Sequence, residues 1–416
     1  MGSDEVASAE HPVSRLMRLA MRPPLSLRWR AAAAVLLTVG FFCLRGGAQP
    51  RSIMDDSLFT RQVRLGLERL YDLDFAGAQA AFEPILRRYP DHPVRAFLPG
   101  LLAWWRVLLE LDVRQDHDEA FFRLMDETVR LAELRLKQNP NDPDGLFYRG
   151  TALGLKARLL ANRDRWLPSL WAGRRALGDL FRLLRLDSSN VDLRLGIGLY
   201  RYYAEAIPDR YPVTRPFVWL LPYPGNRQQG LRDLEWVARY GLYTRTEAAY
   251  FLTMIFIEYE QSPARALPYV RALRERYPNN ALFHRLEAYV LFSSGDWEGA
   301  TTSYRGIWAR YGQGRFGYHV RMAQEARYQL AQIALRSGRL EEALEGFQET
   351  ERLAAEREPD SPYRILARLH QGMTLDLMGR RQEALAQYRS VLRMPDQAGA
   401  HRRARRYLQQ PYGSGA

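Results

Sequence analysis

The chain has 416 residues, 47% of them hydrophobic, and a net charge of +13. That content excludes a wholly disordered chain, and the single cysteine, Cys43, excludes an internal disulfide or a cysteine-based metal site. The positive balance permits a polyanionic partner without requiring one. Only Lys137 and Lys156 among the 60 basic residues are lysines, a bias that reads as a GC-rich genome rather than selected arginine chemistry.

Arg28-Trp-Arg30 precedes an apolar run, Ala31 to Leu44, followed by Gly46-Gly-Ala48. A basic segment, an apolar run and a small-x-small site read as a secretory signal peptide over residues 1–48, cleaved after Ala48. The run is shorter than the roughly 20 residues a spanning helix needs. An uncleaved inner-membrane anchor over 31–44 is the alternative. A lipoprotein would use Cys43, but Gly40-Phe-Phe before it lacks the small residues that signal requires. Asp4, Glu5 and Glu10 suit a signal poorly and make Met17 or Met21 candidate starts. An exported protein without mature cysteines fits a bacterial periplasm or envelope.

From residue 59 the apolar spacing predicts helices in pairs. The first pair runs from about Arg61 to Tyr89, with Pro84 inside its second helix. Residues 93–140 form a longer pair, whose first helix is apolar on nearly all sides at Leu101-Leu-Ala-Trp-Trp105 and therefore reads as buried. Residues 144–186 repeat the plan, and Asp187-Ser-Ser-Asn190 ends it. A further helix, Leu193–Ala206, leads into Ile207–Gly225, where five prolines (208, 212, 216, 222 and 224) exclude a helix. Helix resumes near Arg227. The pattern thus divides into amino-terminal pairs (59–186), a central repeat with an inserted loop (187–245, loop 207–225), carboxy-terminal repeats (246–395) and a basic tail (396–416).

A skeleton recurs in these pairs. A turn glycine is followed five residues later by alanine and four residues after that by an aromatic: Gly295, Ala300 and Tyr304; Gly338, Ala343 and Phe347; Gly379, Ala384 and Tyr388. Near the start, Leu73 takes the glycine's place before Ala78 and Phe82. A second small residue lies twelve positions before each alanine, at Gly66, Ala288, Ala331 and Gly372. Two crossing helices joined by a tight turn explain the spacing, with the small residues facing each other and the aromatic covering the seam. This pattern resembles the tetratricopeptide repeat family, whose unit of about 34 residues is a helix-turn-helix; Ala266 to Ala300 is 34 residues. The resemblance covers most of 59–395. It implies an all-α solenoid of antiparallel helix pairs wound as a right-handed superhelix, with one proline- and aromatic-rich insertion. A second, shorter resemblance lies in Leu195-Gly-Ile-Gly-Leu199, Leu220-Leu221, Gly225-Asn-Arg227 and Gly230-Leu231. This tract is similar to the tetratricopeptide family of eukaryotic inclusion-body clearance and mitochondrial outer-membrane proteins.

No motif points to catalysis, and no cofactor or metal is expected. Gly312-Gln-Gly-Arg-Phe-Gly317 is a literal G-x-G-x-x-G, but it follows a helix rather than a strand and reads as a helix cap and connector. The seven histidines show no zinc spacing, and no G-x-S-x-G elbow occurs. The expected function is non-enzymatic recognition of a protein or peptide along a continuous groove lined by first-helix side chains. The loop 207–225 reads either as a plug on the inner face or as a binding element, with Arg215, Trp219, Tyr223 and Arg227 as candidate contacts. If it binds, the alternative is an envelope ligand-binding or enzyme accessory protein that uses this loop, for a glycan for example. Nucleic acid is not an expected partner for an exported chain. Arg402, Arg403, Arg405 and Arg406 form a basic cluster that reads as a solvated cap or as a contact for an anionic membrane surface.

Overall fold

The computed structural model describes residues 52–111, 113–212, 215, 223–358 and 361–414. The expected signal segment, Cys43 and Trp219 lie outside the described residues. Among them there are seventeen α-helices and no strand. After a single 3₁₀ turn (Ile53–Asp55), sixteen helices form eight consecutive antiparallel pairs: α1 (Ser57–Tyr71) with α2 (Phe75–Arg88), α3 (Val94–Leu109) with α4 (Asp118–Gln138), α5 (Pro143–Asn162) with α6 (Trp166–Leu186), α7 (Leu193–Arg210) with α8 (Arg227–Tyr240), α9 (Arg245–Glu258) with α10 (Pro263–Arg276), α11 (Ala281–Ser293) with α12 (Trp297–Gly312), α13 (Val320–Arg336) with α14 (Leu340–Arg357), and α15 (Pro362–Leu377) with α16 (Arg381–Val391). A last helix, α17 (Ala400–Gln409), covers the end. The fold is therefore the all-α solenoid that the repeat skeleton implies.

The helices start and stop for local reasons. Asp56, Asp74, Asp142, Asn226, Asn280 and Asp296 each accept a first-turn amide, capping six of the helices. Six pairs turn through one left-handed residue: Leu73, Asp164, Gln261, Gly295, Gly338 and Gly379. In five of them the following amide reaches back five residues to a helix carbonyl, as Arg339 N to Ala334 O at 2.9 Å and Arg165 N to Leu160 O at 2.8 Å. This satisfies an end carbonyl that the helix cannot, and it reverses the chain in a few residues.

The skeleton alanines Ala78, Ala300, Ala343 and Ala384 are fully buried, with the aromatics beside them. The glycines of the first helices do more than face those alanines. A Cβ on Gly66 would lie 2.1 Å from the Phe82 ring, and one on Gly372 would lie 2.5 Å from Tyr388. The glycine is thus a socket for the aromatic of its own pair. At the α7–α8 crossing the approach is backbone to backbone, since a Cβ on Gly230 would sit 2.7 Å from the Gly198 carbonyl. That contact gives the glycine-spaced tract 195–231 its physical meaning.

Two expectations are corrected. Helix α7 continues through Pro208 to Arg210, because a proline removes only its own amide bond and the Tyr211 amide closes the last turn on Ile207 O at 2.8 Å. The basic tail forms the short helix that caps the array. In α17 Ala400 and Ala404 are buried, Tyr407 packs on Tyr388 at 5.5 Å, and Arg381 donates to the carbonyls of Tyr407 and Leu408. The groove expected along the first helices is closed over α1 to α11. The inner faces of α1, α3 and α5 do not stay open but pack against α9, α10 and α11, 92 to 209 residues later in the chain. Trp105 meets Phe283 at 5.8 Å, Tyr71 meets Tyr277 at 5.5 Å, and Asn280 Nδ2 donates to the Tyr71 carbonyl at 2.6 Å. Glu68 takes a two-pronged ion pair from Arg276, and Phe75 stacks edge-on against Phe316. One hydrophobic core consequently runs from Phe59 to Ile333. Large aromatics on the first helices drive this closure, because an open superhelix would leave the facing sides of Trp105 and Phe283 in water.

Candidate functional site

The insertion after α7 is pinned at its far end. Tyr223 lies against Phe181 of α6, ring centroids 4.0 Å apart, and its amide donates to Tyr200 Oη at 3.1 Å while Tyr200 Oη donates to its carbonyl. The Gly225 backbone runs so close to α7 that a Cβ there would meet Glu205 N at 2.7 Å. Arg227 is engaged inside the protein. Its guanidinium donates to Glu260 at 2.8 Å and lies over the Tyr202 ring, whose hydroxyl donates to the same carboxylate at 2.5 Å. Burial pushes Glu260 up, but the hydrogen bonds from Arg227 and Tyr202 outweigh it and hold the carboxyl below its ordinary value. Of the four candidate contacts, Tyr223 and Arg227 thus tie α6, α7, α8 and the α9–α10 turn together, and Arg215 is exposed.

The closed interior holds polar groups that the spacing did not single out. Arg158 on α5 lies over the rings of Trp104, Tyr250 and Phe251 at 5.1, 5.6 and 4.7 Å and donates to Tyr250 Oη at 3.4 Å. Glu247 accepts from Tyr71 Oη, its second oxygen has no partner, and burial raises its carboxyl to about 7. Between α11 and α13, Arg285 and Glu325 form a buried ion pair at 2.7 Å. His284 and His370 are buried and held neutral, burial lowering each to about 3. Among the described residues no cluster of three or more His, Cys, Asp or Glu could hold a metal ion. No helix among them is long and apolar enough to cross a membrane.

The outer surface carries apolar groups that the sequence reading missed. On α6, Leu167 and Trp171 are 64% and 66% exposed, and at i, i+4 they share one face. On α8, Trp236 and Tyr240 are about half exposed with their rings 4.3 Å apart, and Arg239 lies over Tyr240 at 5.2 Å. The available signal was the width of the apolar arc in Trp166-Leu-Pro-Ser-Leu-Trp171, which exceeds what packing on α5 requires. On α17, Arg402 and Arg405 point outward, whereas Arg403 is half-buried and donates to Met373 Sδ at 3.3 Å.

Two stretches, residues 259–315 and 322–397, match family models described as tetratricopeptide repeat. These stretches take in most of α10 to α16, where the glycine-alanine-aromatic skeleton is most regular, and the chain therefore carries tetratricopeptide repeats. No curated protein matches the sequence. Among solved structures, the human IFIT1 dimer with m7Gppp-AAAA is 12% identical over 83% of this chain and 70% of that chain, with a TM-score of 0.39. Yeast Tom70 is 11% identical over 86% of this chain and 82% of that chain, with a TM-score of 0.38. Both likenesses are too distant to bear on what this chain binds.

Proposed function

We propose that this chain is a non-enzymatic scaffold that binds a protein or peptide partner on its outer shoulder at α6, and that it works in the bacterial cell envelope. The repeats make it a protein-interaction scaffold in kind. The observation that carries the finer reading is the α6 face, where Leu167 and Trp171, the two most exposed large apolar side chains among the described residues, stand side by side in solvent. A tryptophan beside a leucine one turn away suits an apolar anchor on a partner helix or strand, and Arg165 at the helix start favours an acidic flank there. The closed interior supports an outer site rather than a continuous inner groove.

A photo-crosslinking residue placed at position 167 or 171, compared with one at exposed Arg389, tests the site. Discrete adducts at 167 and 171 only are expected in cells. Equal adducts at 389, or none at any position, would overturn the α6 reading. Export rests on the basic-apolar-small pattern of 28–48. Amino-terminal sequencing of the protein from cells should begin at Gln49; an intact chain in the membrane fraction would favour the anchor. The outward arginines of α17 support peripheral contact with anionic lipid, and co-sedimentation with phosphatidylglycerol vesicles but not phosphatidylcholine vesicles is the expected result.

A further inference from the structure

Along the line where the first superhelical turn closes on the second, α1, the α8–α9 turn and the end of α10 line a small open pocket with a volume of about 40 Å³. Its wall includes Arg64, Glu68, Tyr71, Tyr243, Arg245 and Arg276. The lone carboxylate there is already engaged. Glu68 accepts from Arg276 Nε and Nη2 at 2.9 and 2.6 Å and from Tyr277 Oη at 3.1 Å. Asp192 nearby is engaged as well, since its oxygens take the amides of Leu242, Tyr243 and Thr244 and the Thr244 hydroxyl. Arg64 and Arg245 are exposed and have no ion pair among the described residues. Two uncompensated guanidiniums and a third held by Glu68 therefore converge on one small pocket from three separate helices.

We propose that this pocket binds a tetrahedral oxyanion of the phosphate type, either free or as a terminal phosphomonoester. The class follows from charge and size. Guanidiniums present forked donors that match phosphate oxygens. A water needs roughly 10–15 Å³ of such space, so about 40 Å³ admits a phosphate group and leaves a sugar or base outside. Because Arg64 belongs to α1 and Arg245 to α9, the bound anion ties the two turns together. Occupancy is therefore coupled to closure of the superhelix.

Thermal unfolding of the purified protein in sodium phosphate, phenyl phosphate or sodium chloride at matched ionic strength tests this. The Tm should rise saturably with phosphate beyond the chloride value. A similar rise with phenyl phosphate assigns the site to phosphomonoesters, and a rise with phosphate alone assigns it to the free anion. Arg64→Gln/Arg245→Gln should weaken phosphate binding at least tenfold by calorimetry and abolish the rise, whereas Arg389→Gln should keep it. If the double variant is unstable in chloride, the single substitutions are read in the same way. No phosphate-specific rise in the native protein, or an undiminished rise in the variants, would overturn the proposal.

Discussion

Asn280 offers a sharp test of superhelix closure, because one side chain performs two separable tasks. Its Oδ1 accepts the Phe283 amide at 3.1 Å and caps α11, while its Nδ2 donates to the carbonyl of Tyr71 at the end of α1. The residue is fully buried. Asn280→Ala removes both. The cap is worth about 0.5–2 kcal/mol, and a buried carbonyl left without its partner costs about 1–3 kcal/mol. The total loss should be about 2–4 kcal/mol. Asn280→Ser keeps a good cap and removes only the cross-turn bond, so it should cost about 1–3 kcal/mol. Urea unfolding measures both losses. Hydrogen exchange then locates them: in Asn280→Ser, protection should fall in residues 57–71, while α14 to α16 stay unchanged. A serine variant as stable as the native protein, with α1 still protected, would refute the view that this contact holds the turns together.

Three other outcomes follow from particular contacts. Gly338 has φ +73 with open space around it, so Gly338→Ala should cost about 1–2 kcal/mol for conformation alone, measurable as a lower urea midpoint. Arg285→Ala removes the buried ion-pair partner of Glu325 and should cost about 3–5 kcal/mol by the same assay, whereas Arg285→Met with Glu325→Leu should recover much of it. Acid should destabilise the fold through His284 and His370. Their folded values near 3 lie below the unfolded value of 6.5, so their contribution is complete above pH 6.5 and is lost as pH falls toward 3. Each adds a slope of up to about 1.4 kcal/mol per pH unit. Glu247, raised from 4.5 to about 7, acts in the opposite sense between those values, so Glu247→Gln should steepen the loss from pH 6 to 5, followed by urea unfolding at each pH.

The local architecture was legible in the amino-acid pattern. Pairing was legible because a tight helix crossing tolerates only small residues at fixed spacing, and Gly66, Ala300, Ala343 and Gly372 sit at such points. The reversals at Gly295, Gly338 and Gly379 were legible for the same kind of reason, since glycine adopts a positive φ without strain. A polar turn was legible at Asn162-Arg-Asp164, but the left-handed conformation of Asp164 and Gln261 was not, because there the hydrogen-bond closure and the surrounding packing hold residues other than glycine in it. Periodicity records which face of a helix is buried but not what buries it. Hence Trp105 and Phe283 looked like ordinary core residues of separate pairs, and only the tertiary structure brought them together and closed the groove. The candidate site divides in the same way. Tyr223 and Arg227 stood out by composition, yet Phe181 and Glu260, which engage them, come from helices and turns distant in the chain. Trp171 was unremarked because an exposed tryptophan and a buried one share the same helical spacing, and the difference lies in the neighbours that the superhelical path places beside them.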